Sequence, residues 1–221
     1  MTDRPWVVLN VSRLDDYARC PMFYYWRHEA KKVPPRRAAL GFGTSIHEPI
    51  ATWYQTFEID KVLTKFWETF EAQEGLDPEL GTYGERLVKG YCLHWADDPD
   101  QFEIEAVEQR LVADLENEHI GLRLVGRPDL IARTRIGRDR LWHIQHKTCA
   151  ANTSYGRYVA AYNLNWHERA YAVLGRANGF DIQGTVLNLI RKTKQVHTQH
   201  GDDHTFKREY IPLGEDAIEK F

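Results

Sequence analysis

The chain has 221 residues and a formal charge of -3, and hydrophobic and charged residues make up 43% and 28% of the sequence. This composition is that of a soluble globular protein with a sizeable core. No apolar run is long enough to span a bilayer and the N-terminus has no apolar segment of the signal-peptide type, so we expect a cytoplasmic protein with no membrane partner.

We expect one domain over residues 1–221, with a helical part at about 11–96 and a part made of sheet and helix at about 102–212. The three cysteines are far apart and odd in number, which argues against a disulfide framework and against a paired-thiolate metal site. The small negative net charge is not typical of a nucleic-acid-binding protein with a basic surface, but local basic clusters are present. They lie at Lys31-Lys32, Arg36-Arg37, Arg133 to Arg140 and Arg191 to Lys194.

The N-terminal half is predicted to be mainly helical. Ser12 and Asp15 form a capping pair at the start of a short helix, which Pro21 interrupts and restarts. Residues 30–38 are predicted to form a loop, because lysine, proline and arginine crowd together there. The remaining elements predicted before the sheet are a glycine-rich helix entry at Gly41 to Glu48 with its amphipathic helix through Phe57, packing helices at Ile59 to Phe70 and Tyr83 to Trp95, and a solvated acidic turn at Asp97 to Asp100.

The second half alternates in the manner of strands and contains one long helical pattern. The predicted strands are Phe102 to Leu115, Gly121 to Thr134, Leu141 to Thr148, Val186 to Ile190 and, at the edge of the sheet, Phe206 to Ile211. The predicted helices are Tyr158 to Asn178, which is the longest, and a pattern that begins at Glu215 and runs to Phe221.

Polar side chains are concentrated in two segments that are predicted to form one hairpin, Gly126 to Ile131 and Leu141 to Thr148. Side chains alternate along a strand, so Gln145 and Lys147 share one face while His146 lies on the other. If Asp129 ends the first strand, its carboxylate converges with Gln145 and Lys147. An acid, an amide oxygen and an ammonium group would then lie together.

This combination suits phosphodiester hydrolysis. A divalent cation such as Mg2+ or Mn2+ binds through oxygen ligands and neutralises the charge that develops on a scissile phosphate. Lys147 can orient or activate the attacking water, and Arg127, next to the acid, can hold a phosphate oxygen. Two strands with a salt bridge across a hairpin would explain the same residues without any catalysis.

Pro128-Asp129 followed by Gln145-His146-Lys147-Thr148 resembles the signature of the PD-(D/E)XK nucleases in their RecB-like form, which includes CRISPR-associated exonucleases. The resemblance implies an α/β fold in which a mixed central sheet is flanked by helices. It also implies a Mg2+- or Mn2+-dependent deoxyribonuclease of phage or bacterial DNA processing, recombination or repair. An exonuclease is favoured over an endonuclease, with DNA as substrate and a helicase or recombination protein as partner.

Other segments match this family in the same order. The segment before Phe23 resembles its Cys-Pro opening, and in several members of the family the cysteine that corresponds to Cys20 binds an iron-sulfur cluster. Such a cluster needs four thiolates and the chain has three cysteines, so we expect no iron-sulfur cluster. By resemblance, His47 is a metal ligand and Glu108 a further candidate ligand. A lone histidine on a helix is otherwise a surface or core residue.

His167 and Tyr171 lie four residues apart on the predicted long helix, in the place of a Gln-x-x-x-Tyr motif that contacts substrate or catalytic groups in the family. Together with Arg127 they are candidate DNA-binding residues. Without the other motifs, they would simply be a pair on a helix surface.

Two positions depart from the family pattern: Gln145 replaces an Asp or Glu, and His167 replaces a Gln. Glutamine can give a metal its carbonyl oxygen but no charge, so cation affinity should fall. Glu48 or Glu108 could supply the missing carboxylate. The alternatives are a catalytically degenerate nuclease fold that binds DNA or a protein, and a metal-dependent hydrolase of another phosphoester.

Overall fold

A computed structural model describes residues 6–32, 38–73, 75–116, 120–137, 139–163, 166–199 and 204–214. The helical pattern predicted from Glu215 to Phe221 lies outside the described residues, as does the central part of the loop predicted at 30–38. Within the described ranges, no helix has the length and apolar character needed to cross a membrane. The prediction of one domain over residues 1–221 stays a prediction.

The helices are α1 (Val11–Arg19), α2 (Pro21–Tyr24), α3 (Ala38–Thr56), α4 (Ile59–Glu71), α5 (Pro78–His94), α6 (Asp98–Gln101), α7 (Tyr155–Asn163) and α8 (Trp166–Ala177), with a π-helical turn at Tyr25–Glu29. The strands are β1 (Trp6–Asn10), β2 (Phe102–Val107), β3 (Leu111–Glu116), β4 (Gly121–Gly126), β5 (Leu130–Thr134), β6 (Leu141–Ala150), β7 (Ile182–Lys192) and β8 (Phe206–Pro212).

The strands form two mixed sheets. The five-stranded sheet has the order β2-β5-β6-β7-β8, in which β6 and β7 are parallel and the other neighbours are antiparallel. The three-stranded sheet has the order β1-β4-β3, with β1 parallel to β4. The predicted α/β architecture, a mixed sheet flanked by helices, is confirmed. The β5–β6 hairpin forms as expected, and β8 lies at the edge of the sheet.

Strand β6 separates two hydrophobic cores. Ile144, on one face, joins the core built with α3, α4 and α5, which includes Phe66 and Tyr91. Leu141, on the other face, joins the core that contains Tyr171 of α8. Successive side chains of β6 alternate between these cores, as the period of a strand requires. Both faces of β6 are therefore buried along most of its length.

Two predicted strands each prove to be two strands in different sheets. Phe102 to Leu115 divides into β2 and β3 at Glu108, whose φ of 50° is incompatible with an extended strand. Gly121 to Thr134 divides into β4 and β5 in the same way. The alternation of apolar residues continues on both sides of each break, so the pattern alone does not reveal the change of sheet. Strand β1 was not predicted.

The helix boundaries also differ from the prediction. The pattern from Tyr158 to Asn178 forms two helices, α7 and α8, instead of one. Helix α3 has 19 residues, and Gly41 and Gly43 lie inside it and not in an entry turn. Helix α1 begins one residue before Ser12, and the side chain of Asn10 caps it by accepting a hydrogen bond from the Arg13 amide at 2.8 Å.

The prediction of a solvated acidic turn at Asp97 to Asp100 is wrong for Asp98. Asp98 begins the short helix α6 and its side chain is fully buried, with no contact to solvent. Its partner is Arg208 of β8, which forms two hydrogen bonds of 2.8 Å to the carboxylate. Because this arginine lies 110 residues later in the chain, no local pattern at Asp98 indicates the pairing.

We expect Gly126→Ala to destabilise the protein by about 1–3 kcal/mol. A Cβ at this position would lie 2.5 Å from Leu174 Cδ1 and 2.9 Å from Tyr171 Cε1. The measurement is the free energy of unfolding from a denaturant titration.

Gly156→Ala is the matched control, because nothing lies within 4 Å of a Cβ at Gly156, a residue of α7. Alanine is favoured over glycine in a helix, so this change should be neutral or stabilising by up to about 1 kcal/mol. Equal effects of the two substitutions would contradict the close packing of Gly126 against α8.

Candidate active site

A cavity of about 730 Å³ opens between α3, α4, the connection of β4 to β5, and β6. Its wall carries charged groups of both signs and several hydroxyl groups. The residues that carry these groups, with one histidine, are Thr44, His47, Glu48, Thr52, Lys65, Glu108, Arg127, Asp129, Lys147 and Thr148. A cavity with this wall is suited to a polar, charged ligand rather than to an apolar one.

Asp129 lies immediately before β5 and is fixed by hydrogen bonds on its side chain and backbone. Its Oδ2 accepts a hydrogen bond of 2.8 Å from the backbone amide of His146. Its carbonyl oxygen accepts one of 3.1 Å from the amide of Glu108. In the same connection, the Tyr171 hydroxyl donates to the carbonyl oxygen of Arg127 at 3.1 Å. The carboxylate is therefore held in place before any ligand binds.

Two histidine rings face the same oxygen of Asp129. Nδ1 of His146 lies 3.5 Å from Oδ2, and Nδ1 of His47 lies 3.7 Å from it. The ring centroids of the two histidines are 6.4 Å apart. The other oxygen, Oδ1, accepts no hydrogen bond within the part of the chain that the structure describes. One oxygen of Asp129 is thus anchored and the other is available to a ligand.

Burial and charge set the protonation of this pair. Burial lowers the pKa of His47 to about 4, and the attraction of Asp129 opposes this only in part. The ring is therefore neutral near pH 7. Burial by itself would raise the pKa of Asp129, but hydrogen bonds from His146 and the attraction of His47 hold it below its ordinary value. A neutral imidazole and an ionised carboxylate are the forms that bind a cation.

Two further carboxylates in the wall are paired with cations. Oε2 of Glu108 lies 2.8 Å from Nε of Arg127, whose side chain is 68% exposed. Oε2 of Glu48 lies 3.4 Å from Nζ of Lys65. Burial, and next the nearby Asp129, raise the pKa of Glu108, Arg127 opposes the shift, and the resulting pKa is about 7. Glu108 thus exchanges its proton close to neutral pH.

The structure brings five of the predicted site residues together and separates three from them. Asp129, Lys147, His47, Glu108 and Arg127 all line the cavity. Gln145, His167 and Tyr171 do not line it; all three are at most 9% exposed. Glu48, considered as a substitute carboxylate, is part of the wall.

The three separated residues lie on the side of β6 that α8 covers. The ring of Tyr171 lies 4.3 Å from that of His143 and 4.9 Å from that of His167. Gln145 shares the His143 face of β6, and its Oε1 is buried with no hydrogen-bond partner among the described residues. Tyr171 acts on the cavity indirectly, through its hydrogen bond to the backbone of Arg127.

His146 and Lys65 were not identified from the sequence. His146 occupies the variable position of the second motif and was placed on the face away from Gln145. The available signal was a polar ring on the strand face that it shares with the apolar Trp142 and Ile144. Lys65 lies on α4, which was interpreted as a packing helix, and its position in the wall follows only from the packing of α4 on α3.

The donor groups of the cavity fit a hard divalent cation that keeps most of its water. Within the described ranges, no three side chains of the His, Cys, Asp and Glu types are already arranged to hold a metal ion. Mg2+ is usually bound by one or two carboxylates and retains several waters, so it does not require such a cage. The available Oδ1 of Asp129 and the neutral ring of His47 agree with this mode of binding.

Comparison with known proteins identifies a family. The family model of the PD-(D/E)XK nuclease superfamily matches residues 8–219. No curated protein matches the chain. Among solved structures, a candidate exonuclease from Eubacterium rectale has a TM-score of 0.51 at 10% identity, with 96% of this chain and 75% of that chain covered. A protein designated SSO0001 has a TM-score of 0.38 at 12% identity, with 96% and 72% covered.

We expect Glu108→Gln to stabilise the ligand-free protein increasingly as the pH rises. Folding raises the pKa of Glu108 from an ordinary 4.5 to about 7, so the folded protein binds its proton more tightly than the unfolded chain. The protonated carboxyl group therefore stabilises the folded protein fully below about pH 4.5, and this stabilisation is lost as the pH rises to about 7 and above. The gain of the variant over wild type should grow by about 1–2 kcal/mol between about pH 5 and about pH 8.

Denaturant titrations at both pH values measure this effect. The control is Glu103→Gln, which changes an exposed carboxylate on the neighbouring strand β2. Its difference from wild type should be the same at both pH values. A pH-independent effect of Glu108→Gln would show that burial does not act on this carboxyl group as described.

Proposed function

The chain belongs to the PD-(D/E)XK nuclease superfamily, and we propose that it is a Mg2+- or Mn2+-dependent deoxyribonuclease of the RecB-like type. We further propose that it is an exonuclease in phage or bacterial DNA processing, recombination or repair, with DNA as substrate and a helicase or recombination protein as partner. The motif order of the sequence supports the finer assignment.

One observation carries the proposal: Asp129 and Lys147, the acid and the lysine of the two motifs, line one cavity together with His47 and Glu108. These four residues come from α3, the β2–β3 connection, the β4–β5 connection and β6. Because unrelated parts of the chain supply them, a local hairpin salt bridge does not explain their convergence. Acid, base and cation donors in a shared polar cavity suit phosphodiester hydrolysis.

We assign the metal to Asp129 and His47, with Glu108 as a further ligand. The Gln145 side-chain oxygen, proposed from the sequence as a further ligand, is buried outside the cavity and has no hydrogen-bond partner among the described residues. A bound divalent cation would neutralise charge on the scissile phosphate and supply an acidified water. The protein would contribute the carboxylate of Asp129 to the metal site, and the His146 amide fixes this carboxylate through a hydrogen bond of 2.8 Å.

The cationic side chains of the cavity have distinct proposed roles. Lys147 carries an ammonium group that can donate hydrogen bonds to the attacking water and to a non-bridging phosphate oxygen. Arg127, exposed and attached to the fixed β4–β5 connection, can bind a neighbouring phosphate in a bidentate manner. His167 and Tyr171 would position the DNA strand indirectly, since the Tyr171 hydroxyl holds the carbonyl oxygen of Arg127.

We expect Lys147→Met and Asp129→Asn each to reduce DNA cleavage by about 100-fold or more, because each removes a group that acts on the reacting phosphate or its metal. The assay uses end-labelled linear DNA and a closed circle, single- and double-stranded, with Mg2+, Mn2+ or EDTA. Cleavage of linear but not circular DNA is expected for an exonuclease.

Lys61→Met is the matched control, since Lys61 is 57% exposed on α4 and pairs with Glu58 away from the cavity. It should cleave at the wild-type rate. If Lys147→Met cleaved as fast as this control, the assignment of Lys147 would be wrong.

A second candidate function is a nuclease fold that binds DNA or a protein without cleaving. The observation that favours it is Gln145, a neutral residue in place of an acid and buried outside the cavity. DNA binding in EDTA, with no cleavage under any metal, would support this candidate.

Gln145→Glu separates the two candidates. If the wild type is inactive because Gln145 replaces an acid, Gln145→Glu should produce metal-dependent cleavage that the wild type lacks. Its buried charge should also lower the thermal stability of the metal-free protein, and Mn2+ should restore part of that loss. If the wild type is already active, the same substitution should leave cleavage within about tenfold of wild type.

A further inference from the structure

A buried polar network leads from the edge of the five-stranded sheet to the cavity. It begins at the ion pair of Arg208 and Asp98, whose side chains are 4% and 0% exposed. Two hydrogen bonds of 2.8 Å join the guanidinium to the two carboxylate oxygens. A guanidinium group can only donate hydrogen bonds, so every neighbour that Arg208 contacts must accept.

The strand register places three polar residues side by side across the sheet. His146 of β6 lies opposite Asn188 of β7, and Asn188 lies opposite Arg208 of β8. Nε of Arg208 donates to Oδ1 of Asn188 at 2.8 Å. Since the guanidinium fixes the amide oxygen on its own side, the NH2 group of Asn188 must point toward β6.

That NH2 group meets Nε2 of His146. Nδ2 of Asn188 lies 3.3 Å from Nε2 and 2.9 Å from the hydroxyl of Tyr91. The Tyr91 hydroxyl itself lies 3.0 Å from Nε2. The amide NH2 group can only donate hydrogen bonds, so this contact favours Nε2 as an acceptor. A neutral imidazole has one N–H group, and that group is then on Nδ1.

The tyrosines of the network are consistent with this arrangement. Tyr54 donates its hydroxyl hydrogen to Oδ2 of Asp98 at 2.7 Å and lies 2.7 Å from the hydroxyl of Tyr91. The single hydrogen of Tyr91 then goes either to the oxygen of Tyr54 or to Nε2 of His146. If it goes to Tyr54, the Tyr91 oxygen could also accept from Nε2, so the Asn188 NH2 group and the carboxylate that Nδ1 faces decide between the tautomers. Both favour a hydrogen on Nδ1.

We propose that Arg208, acting through Asn188, holds His146 in the tautomer whose Nδ1–H faces Asp129, which makes His146 the positioning residue of the cavity. The ring nitrogen lies 3.5 Å from Oδ2 of Asp129, the oxygen that the His146 amide also binds. The amide of His146 and the Nδ1 side of its ring thus both face Oδ2, which would leave the second oxygen for a cation. This last step rests on the proposed function, because it takes Asp129 as a metal ligand.

The first test is nuclear magnetic resonance of the metal-free protein with nitrogen-15 in its histidines, since ring nitrogens with and without a hydrogen have distinct resonances. The ring-nitrogen resonances that disappear in His146→Asn are those of His146. We expect the hydrogen of His146 on Nδ1 in the wild type. In Asn188→Asp, an oxygen replaces the NH2 group, so Nε2 should become protonated. A wild-type ring with its hydrogen on Nε2 alone would overturn the proposal, whatever the variants do.

The second test is binding of Mn2+ alone, measured by calorimetry and by the resonance signal of free Mn2+. His146→Leu should weaken binding by about 10- to 100-fold, the usual effect of losing the group that orients a ligand. His146→Asn keeps a donor at the place of Nδ1 and should recover most of the affinity. A purely structural role would not produce this difference between two variants that both break the contact with Tyr91.

His28→Leu is the matched control, because His28 also pairs with an aspartate, Asp16, at 2.7 Å, but outside the cavity. It should bind Mn2+ like the wild type. Circular dichroism establishes that each variant is folded before its affinity is compared.

The two proposals fail in different ways. A wild type that binds neither Mn2+ nor Mg2+ would refute the metal-dependent function, while the tautomer would still be decided by the first test. A wild type that binds Mn2+, with equal affinity in His146→Leu, would refute the positioning role alone.

Discussion

The hydrogen bond from the His146 amide to Oδ2 of Asp129 extends the pairing of β5 with β6 beyond the end of β5. The last paired residues are Leu130 and Ile144, and beyond them a side-chain oxygen replaces the missing strand. Without it, a backbone donor of a buried strand would have no partner. The register, the carboxylate and the wall of the cavity therefore depend on one another, and a slip of one residue would turn Lys147 to the opposite face.

Local patterns predict this hairpin well, because both strands and the turn lie within one short segment. The pairing of β5 with β6, which brings Asp129 to the same cavity as Lys147, was predicted for that reason. Asp98 shows the opposite case, since a run of acidic residues next to a proline is typical of a solvated turn. The side chain is buried only because Arg208 arrives from the last described strand, and long-range pairing of this kind leaves no local signal.

Both faces of β6 are buried, which explains why only some of the residues of the site were predicted from the sequence. Alternation places Gln145 and His146 on opposite faces, but it does not indicate which face a helix covers. Helix α8 covers the Gln145 side, and His146 lies beside Asp129 instead. Glu108 reaches the wall because its backbone adopts a φ of 50°, a conformation that separates β2 from β3 and that strand propensity does not predict.

The sequence distance between the members of the polar network affects the order in which the molecule can assemble. Arg208 follows Asp98 by 110 residues and Tyr54 by 154. Contacts of such long range form slowly, and a chain made from its N-terminus contains every residue that lines the cavity before it contains β8. The wall of the cavity can therefore be in place while His146 still lacks its orienting partners. In the role proposed for this protein, the ability to cut nucleic acid would be the last property that a newly made chain gains.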